Sequence, residues 1–221
     1  MKFVLDLGNT RNKVAIFKQD ELDILKIFSK NEFNKIEEFL KKQTPKERGH
    51  SKLNAAILSS VVNYPEGFRK FMTENFNFIE LTEKTPVPVK NKYKTISTLG
   101  KDRLAAIIGG NHMFPRNNVL VIDCGTCITY DFLTKKGEYL GGAISPGISM
   151  RFKALHTFTD QLPLMSYKEF SELIGSTTEE SILSGVINGT YAEIEKNIES
   201  YQTKFDELKI ILSGGDLNYF D

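Results

Sequence analysis

One pattern occurs twice in this chain and narrows what it can fold into. Phe3-Val4-Leu5 runs into Asp6-Leu7-Gly8-Asn9-Thr10 and is followed by Val14-Ala15-Ile16-Phe17. Well downstream, Val119-Leu120-Val121-Ile122 runs into Asp123-Cys124-Gly125-Thr126-Cys127, followed by Ile128-Thr129-Tyr130-Asp131-Phe132. Each copy reads as a buried strand, a tight turn with a carboxylate at its mouth, and a returning strand. Such a turn suits phosphate: glycine lets the backbone approach, amides and hydroxyls hold oxygens, and the carboxylate holds a divalent cation. A single Asp-x-Gly also marks ordinary hairpins. Two of them, each ending an apolar strand, point to a duplicated nucleotide-binding architecture.

With 221 residues there is room for one large domain or two small ones and a substantial core. A net charge of +1 offers nucleic acid or an anionic membrane no electrostatic attraction. The apolar runs are far shorter than the roughly 20 residues that span a bilayer. The N-terminus enters a strand at once and has no signal-peptide pattern, so the expected location is cytoplasmic. Cys124 and Cys127 form a C-x-x-C, a spacing shared by redox pairs and half zinc sites. Zinc would need two further ligands, and only the scattered His50, His112 and His156 are on offer. Redox pairs usually open a helix, whereas a β-run follows here. The two cysteines are therefore read as small residues beside a phosphate turn.

Strands are expected at 3–6, 13–17, 22–28, 53–59, 76–81, 118–123, 128–133, 138–144 and 208–212. Helices are expected at 33–42, 66–75, 102–112, 148–155 and, longest, 178–200. Residues 43–52 read as a polar surface loop, and Pro86 and Pro88 open an extended connection to Leu99-Gly100. This order argues for two α/β lobes around a nucleotide cleft, with the boundary near 112–118.

Further motifs follow in fixed order: Tyr93 with Leu99-Gly100-Lys101-Asp102-Arg103, then Gly141-Gly142-Ala143-Ile144 with Pro146-Gly147. Leu155-His156-Thr157, Thr178-Glu179-Glu180-Ser181-Ile182 and Ser213-Gly214-Gly215-Asp216 complete the set. Together with the two turns, this series resembles the type III pantothenate kinases of the actin-like ATPase and sugar-kinase superfamily, over nearly the whole chain. The resemblance implies two duplicated actin-like ATPase (ribonuclease H-like) lobes, 1–114 and 115–221. It implies transfer of the ATP γ-phosphate to pantothenate, the first step of coenzyme A synthesis. The sequence ends at Asp221, soon after the Gly-Gly pair, where family members continue with a further helical stretch.

Asp6 sits where a carboxylate can hold Mg²⁺, directly or through water, although an Asp there also caps turns. The resemblance assigns ATP to Asp6, Leu7, Gly8, Asn9, Thr10, Arg11, Asn12 and Lys13, and to Thr126 in the second turn. Lys13 reads either as a phosphate donor or as a solvated strand-end charge. No G-x-x-x-x-G-K-[ST] run exists, which excludes a P-loop mechanism. Asp102 is the candidate general base, since phosphoryl transfer needs mainly positioning, charge neutralisation and one carboxylate by the acceptor hydroxyl. Read alone, Gly100-Lys101-Asp102 equally begins a helix. The resemblance assigns pantothenate to Tyr93, Gly100, Lys101, Asp102, Arg103 and Thr178. Thr178 also reads as a helix N-cap, with Thr177 its competitor. By the same resemblance Asp123 belongs to a monovalent-cation site for K⁺ or NH₄⁺, and the protein is a homodimer. Two rivals stand beside this reading: a sugar or carboxylate kinase of the superfamily, and a nucleotide-binding transcription accessory protein that kept the fold without catalysis.

Overall fold

The computed structural model describes residues 1–44 and 54–219. Most of the polar stretch 43–52 and the first residue of the strand expected at 53–59 lie outside them. Contacts along the chain gather into two units, Met1–Pro86 with Thr95–Ala105 and Val87–Lys94 with Ala106–Asp221.

The first unit is a five-stranded sheet with two helices. Strands β1 (Lys2–Leu7), β2 (Arg11–Lys18) and β3 (Glu21–Ser29) form an antiparallel meander. Helix α1 (Phe33–Gln43) leads to β4 (Ala55–Ser60), which pairs parallel to β1; helix α2 (Glu66–Asn75) leads to β5 (Asn77–Glu80), parallel to β4. The strand order is β3-β2-β1-β4-β5. Period-two alternation puts Phe3, Leu5, Leu7, Val14, Ile16 and Leu58 on one face, where Ile36 and Leu40 of α1 and Phe68 and Met72 of α2 cover them. Asp6, Lys13 and Ser59 share the opposite face, in mutual register.

The second unit repeats the plan. The extended connection holds a two-residue strand, β6 (Lys90–Asn91), and a 3₁₀ turn at Ile96–Thr98. Helix α3 (Lys101–Met113) starts in the first unit and continues in the second. Strands β7 (Asn118–Cys124), β8 (Cys127–Leu133) and β9 (Glu138–Pro146) form a second meander. Helices α4 (Ile148–Thr157) and α5 (Thr178–Lys204) precede β10 (Leu208–Ser213), parallel to β7. The order β10-β7-β8-β9-β6 matches the first sheet strand for strand from its meander to the parallel neighbour. β7 is buried on both faces, which is why its sequence is a continuous apolar run. Leu120, Ile122 and Cys124 meet Ile194 of α5. On the other face Gly110 of α3 comes so close that an added Cβ would lie 3.0 Å from Val121 and 3.2 Å from Val119.

Candidate active site

The two Asp-x-Gly turns share a plan but not a length. In the first, Leu7 pairs with Asn12 and Asp6 with Lys13 across the hairpin, leaving Gly8 to Arg11 as the loop. In the second, Cys124 pairs with Ile128 and Asp123 with Thr129, leaving Gly125 to Cys127. The first loop is therefore one residue longer, and Gly8 N donates to Arg11 O at 3.1 Å while Gly125 N donates to Cys127 O at 3.0 Å. Different groups face each carboxylate as a result. Asp6 lies opposite Lys13, whose Nζ is 4.0 Å from its Oδ2. Asp123 is flanked in register by Thr129 and Ser213, both carrying hydroxyls.

Within the first turn, Asn9, Thr10 and Arg11 are exposed, whereas the Leu7 side chain belongs to the core. Asn12 is fully buried and donates its amide to the carbonyls of Ser29 (3.4 Å) and Lys30 (2.8 Å). It thereby ties the turn to the chain entering α1, with its side chain taken up inside the fold.

The Gly100 to Arg103 segment starts α3, as expected of a helix start. The Arg103 amide donates to Asp102 Oδ1 at 2.8 Å, so the helix end itself holds the carboxylate. That oxygen would lie 2.5 Å from a Cβ at Gly100, leaving no space for a side chain there in this arrangement. Arg103 is buried, and the largely buried Lys101 approaches Glu83 at 3.7 Å.

Two segments of the second unit close on its turn. Gly214, at φ +112°, lies against Cys124, whose carbonyl oxygen would be 2.0 Å from an added Cβ, and Asp216 N donates to that oxygen at 3.0 Å. On the other side Gly147, which precedes α4, donates its N–H to Thr126 O at 3.1 Å. Thr126 is exposed. Burial, with the nearby Asp123 and Asp216 carboxylates, pushes the Cys124 thiol up to about 12. Both thiols are free, and no group of three or more His, Cys, Asp or Glu side chains suited to a metal occurs among the described residues.

Tyr93 stacks on Tyr139 with ring centroids 6.2 Å apart, and lies over Gly141. The Tyr139 hydroxyl donates to buried Asp131 at 2.6 Å, which makes Asp131 the anchor of this aromatic pair. Thr177, not Thr178, caps α5: its Oγ1 accepts from Glu180 N at 3.2 Å, while Glu180 reaches back to Ser176. Thr178 is the first helical residue and is exposed. The His156 ring is 2.8 Å from the Leu162 carbonyl oxygen, a local structural bond. Sequence reasoning passed over Glu193 of α5, which joins β8, β9 and α4. Its Oε1 accepts from Tyr130 at 2.9 Å and Ser145 at 2.5 Å, and its Oε2 pairs with Arg151. No local signal marks it, since a lone Glu on a helix reads as a solvated charge.

The repeated sheet, each copy a meander with a parallel neighbour, defines the class of fold, the actin-like ATPase fold. A protein of Campylobacter jejuni described as a Baf family transcriptional activator has this fold (TM-score 0.53, 21% identity, 99% of this chain and 88% of that one). So does the ethanolamine utilization protein EutJ of Carboxydothermus hydrogenoformans (TM-score 0.51, 12% identity, 99% and 78%). The type III pantothenate kinase family model matches residues 2–200. Curated type III pantothenate kinases of Christiangramia forsetii and Phocaeicola vulgatus are 44% and 43% identical to it, over 98% and 100% of this chain and 86% and 88% of theirs. The chain belongs to the type III pantothenate kinase family. It is a kinase, using ATP to phosphorylate pantothenate for coenzyme A synthesis.

Proposed function

We propose that Asp102 is the general base of this reaction. The observation that carries the reading is the carboxylate held at the first turn of α3 by the Arg103 amide, beside buried Arg103 and next to Gly100. Asp102 takes the proton of the pantothenate terminal hydroxyl as its oxygen attacks the γ-phosphorus. The bond to the bridging oxygen breaks, and ADP leaves with the electron pair. A carboxylate fixed before substrate arrives needs little reorganisation, which matters in a transfer governed by positioning.

Asp6, Gly8, Asn9, Thr10 and Lys13 form the first phosphate turn, and Thr126 contacts ATP from the second. The donor set around Asp6 suits Mg²⁺, which usually takes one or two carboxylates plus substrate phosphates rather than an all-protein cage. A single half-exposed carboxylate facing Lys13 fits that habit. Bound there, Mg²⁺ would neutralise phosphate charge. Asp123, with the hydroxyl-bearing Thr129 and Ser213 in register, offers hard oxygen donors for K⁺ or NH₄⁺. Tyr93, Lys101, Arg103 and Thr178 bind pantothenate. Thr178 keeps its hydroxyl for this role because Thr177 supplies the cap.

The protein acts as a cytoplasmic homodimer, in this reading. Phe158, Leu173 and Ile174 are 79–85% exposed, apolar side chains that a second copy would cover, and no described helix is long and apolar enough to cross a membrane. The test is ATP-dependent phosphorylation of pantothenate with Mg²⁺, in K⁺ and in Na⁺. Turnover that rises with K⁺ and collapses in Asp102→Asn supports the assignment; normal turnover by Asp102→Asn removes it.

A further inference from the structure

Glu193 lies in the middle of α5, outside every motif that the sequence brings to phosphate or pantothenate. Its carboxylate gathers donors from three elements: Tyr130 of β8, Ser145 near the end of β9, and Arg151 of α4. Arg151 in turn donates its Nε to the Pro146 carbonyl at 2.8 Å, and its backbone N–H to Gly147 O at 3.0 Å. One carboxylate and one guanidinium thus hold Ser145 and Pro146 at the end of β9, and Gly147, the next residue, accepts the first backbone bond of α4. Gly147 is the residue that presses on the second phosphate turn. Its N–H bonds to Thr126 O, and its Cα faces Gly125 O so closely that a Cβ would lie 2.0 Å away.

Taking a carboxylate partly out of water is costly unless donors replace the lost hydration. Burial pushes the Glu193 carboxyl up, but the bonds from Arg151, Ser145 and Tyr130 outweigh it, and the group sits below its usual range. An apolar side chain would fill the same space without that cost. What it would not do is fix Ser145 and Arg151 in one orientation, and with them the residue abutting the turn.

We propose that Glu193 is a positioning residue for ATP, setting the Gly125–Thr126 turn through Ser145, Arg151 and Gly147. This rests on Thr126 being an ATP contact. Loosening the network lets the turn drift, and small misplacements at a phosphate site weaken binding steeply. The effect is specific: the KM for ATP rises while the KM for pantothenate stays near its original value. A merely structural role would move both, or neither.

The experiment is initial-rate kinetics with both substrates varied, on Glu193→Ala, Glu193→Gln, Ser145→Ala and Thr126→Ala in the full chain. Glu193→Ala should raise the KM for ATP about tenfold, and Ser145→Ala about threefold, with the pantothenate KM within about twofold. Glu193→Gln should recover part of the loss, because the amide oxygen can still accept from Tyr130 and Ser145 while the amide NH₂ cannot accept from Arg151. If Glu193→Ala fails to fold, Ser145→Ala decides. Should Thr126→Ala raise the ATP KM while Ser145→Ala and Glu193→Ala leave it unchanged, or move both KM values together, Glu193 does not position the turn. Should Thr126→Ala leave the ATP KM untouched, the ATP assignment itself fails, and the proposal with it.

Discussion

Gly147→Ala isolates the contact between α4 and the second phosphate turn. Gly147 has φ −70°, a conformation open to any residue, so backbone strain plays no part in the substitution. Only the new methyl matters: it would stand 2.0 Å from Gly125 O and 2.8 Å from Thr126 O, where real contacts begin near 3.0 Å. Backbone, not a flexible side chain, has to give way, by about 1 Å. That stretches the Gly147–Thr126 hydrogen bond and carries Thr126 away from its place. Overpacking of this kind costs about 1–3 kcal/mol, and each kcal/mol lowers the Tm of a chain this size by about 2–4 °C. A displacement near 1 Å at a positioning element costs about 10²-fold in kcat/KM, or about 2.7 kcal/mol of transition-state stabilisation. Steady-state kinetics with ATP varied, and thermal melts, measure both. Gly67→Ala in α2 is the matched control, since nothing lies within 4 Å of its added Cβ, and it should melt slightly higher at wild-type activity. If Gly147→Ala keeps a kcat/KM for ATP within twofold of wild type, the turn does not depend on this contact.

The other expectations concern single groups. Asp102→Asn should lose about 10²–10⁴-fold in kcat at an unchanged Tm, because an Asn oxygen can still accept from the Arg103 amide; a large drop in Tm would mean the carboxylate serves the helix end first. Asp123→Asn should flatten the dependence of rate on K⁺ or NH₄⁺, and a titration with either salt that retains full activation would refute the cation assignment. Cys124 has its pKa raised from 9.0 to about 12, first by burial, so its neutral form is the folded one. Its contribution to stability is full below pH 9 and is lost as pH rises toward 12; denaturant melts across that window should slope less in Cys124→Ala than in wild type. Thr177→Ala removes the α5 cap and should cost about 1 kcal/mol, whereas Thr178→Ala should leave the melt nearly unchanged and raise the KM for pantothenate.

Local pattern carried much of this fold. Alternation in β1 and β2, the continuous apolar run of β7 and the helical stripe of α1 are each visible within a dozen residues, and the structure keeps all of them. The two-residue β6 and the 3₁₀ turn at Ile96–Thr98 were absorbed into an extended connection, since neither is long enough to show a period. The α5 cap is a correction: the sequence reading sets it at Thr178, whereas Thr177, three residues before Glu180 in the T-x-x-E spacing, is the cap. Glu193 was not legible, because its meaning lies in Tyr130 and Ser145, 63 and 48 residues away. Asn12 shows a further limit. It stands inside the first Asp-x-Gly turn, yet its amide is buried, because a period-two strand puts alternate side chains on opposite faces.

The one-residue difference between the turns sets a different residue opposite each carboxylate of the duplicated motif. Side chains directly opposite in a hairpin face the same way, so loop length decides what each carboxylate meets. The longer first loop sets Asp6 against Lys13, a cation of the protein itself, the pair proposed to receive the ATP phosphates with their metal. The shorter second loop sets Asp123 against Thr129, with Ser213 on its other flank, so a hydroxyl-bearing residue stands beside it in each paired strand. The proposal that Asp123 holds K⁺ or NH₄⁺ rests on this oxygen-bearing company. Thr129→Lys would imitate the first site at the second. It should make turnover independent of added K⁺ or NH₄⁺, whether by replacing the ion or by abolishing activity. Undiminished activation by K⁺ in that variant would separate the cation from Asp123 altogether.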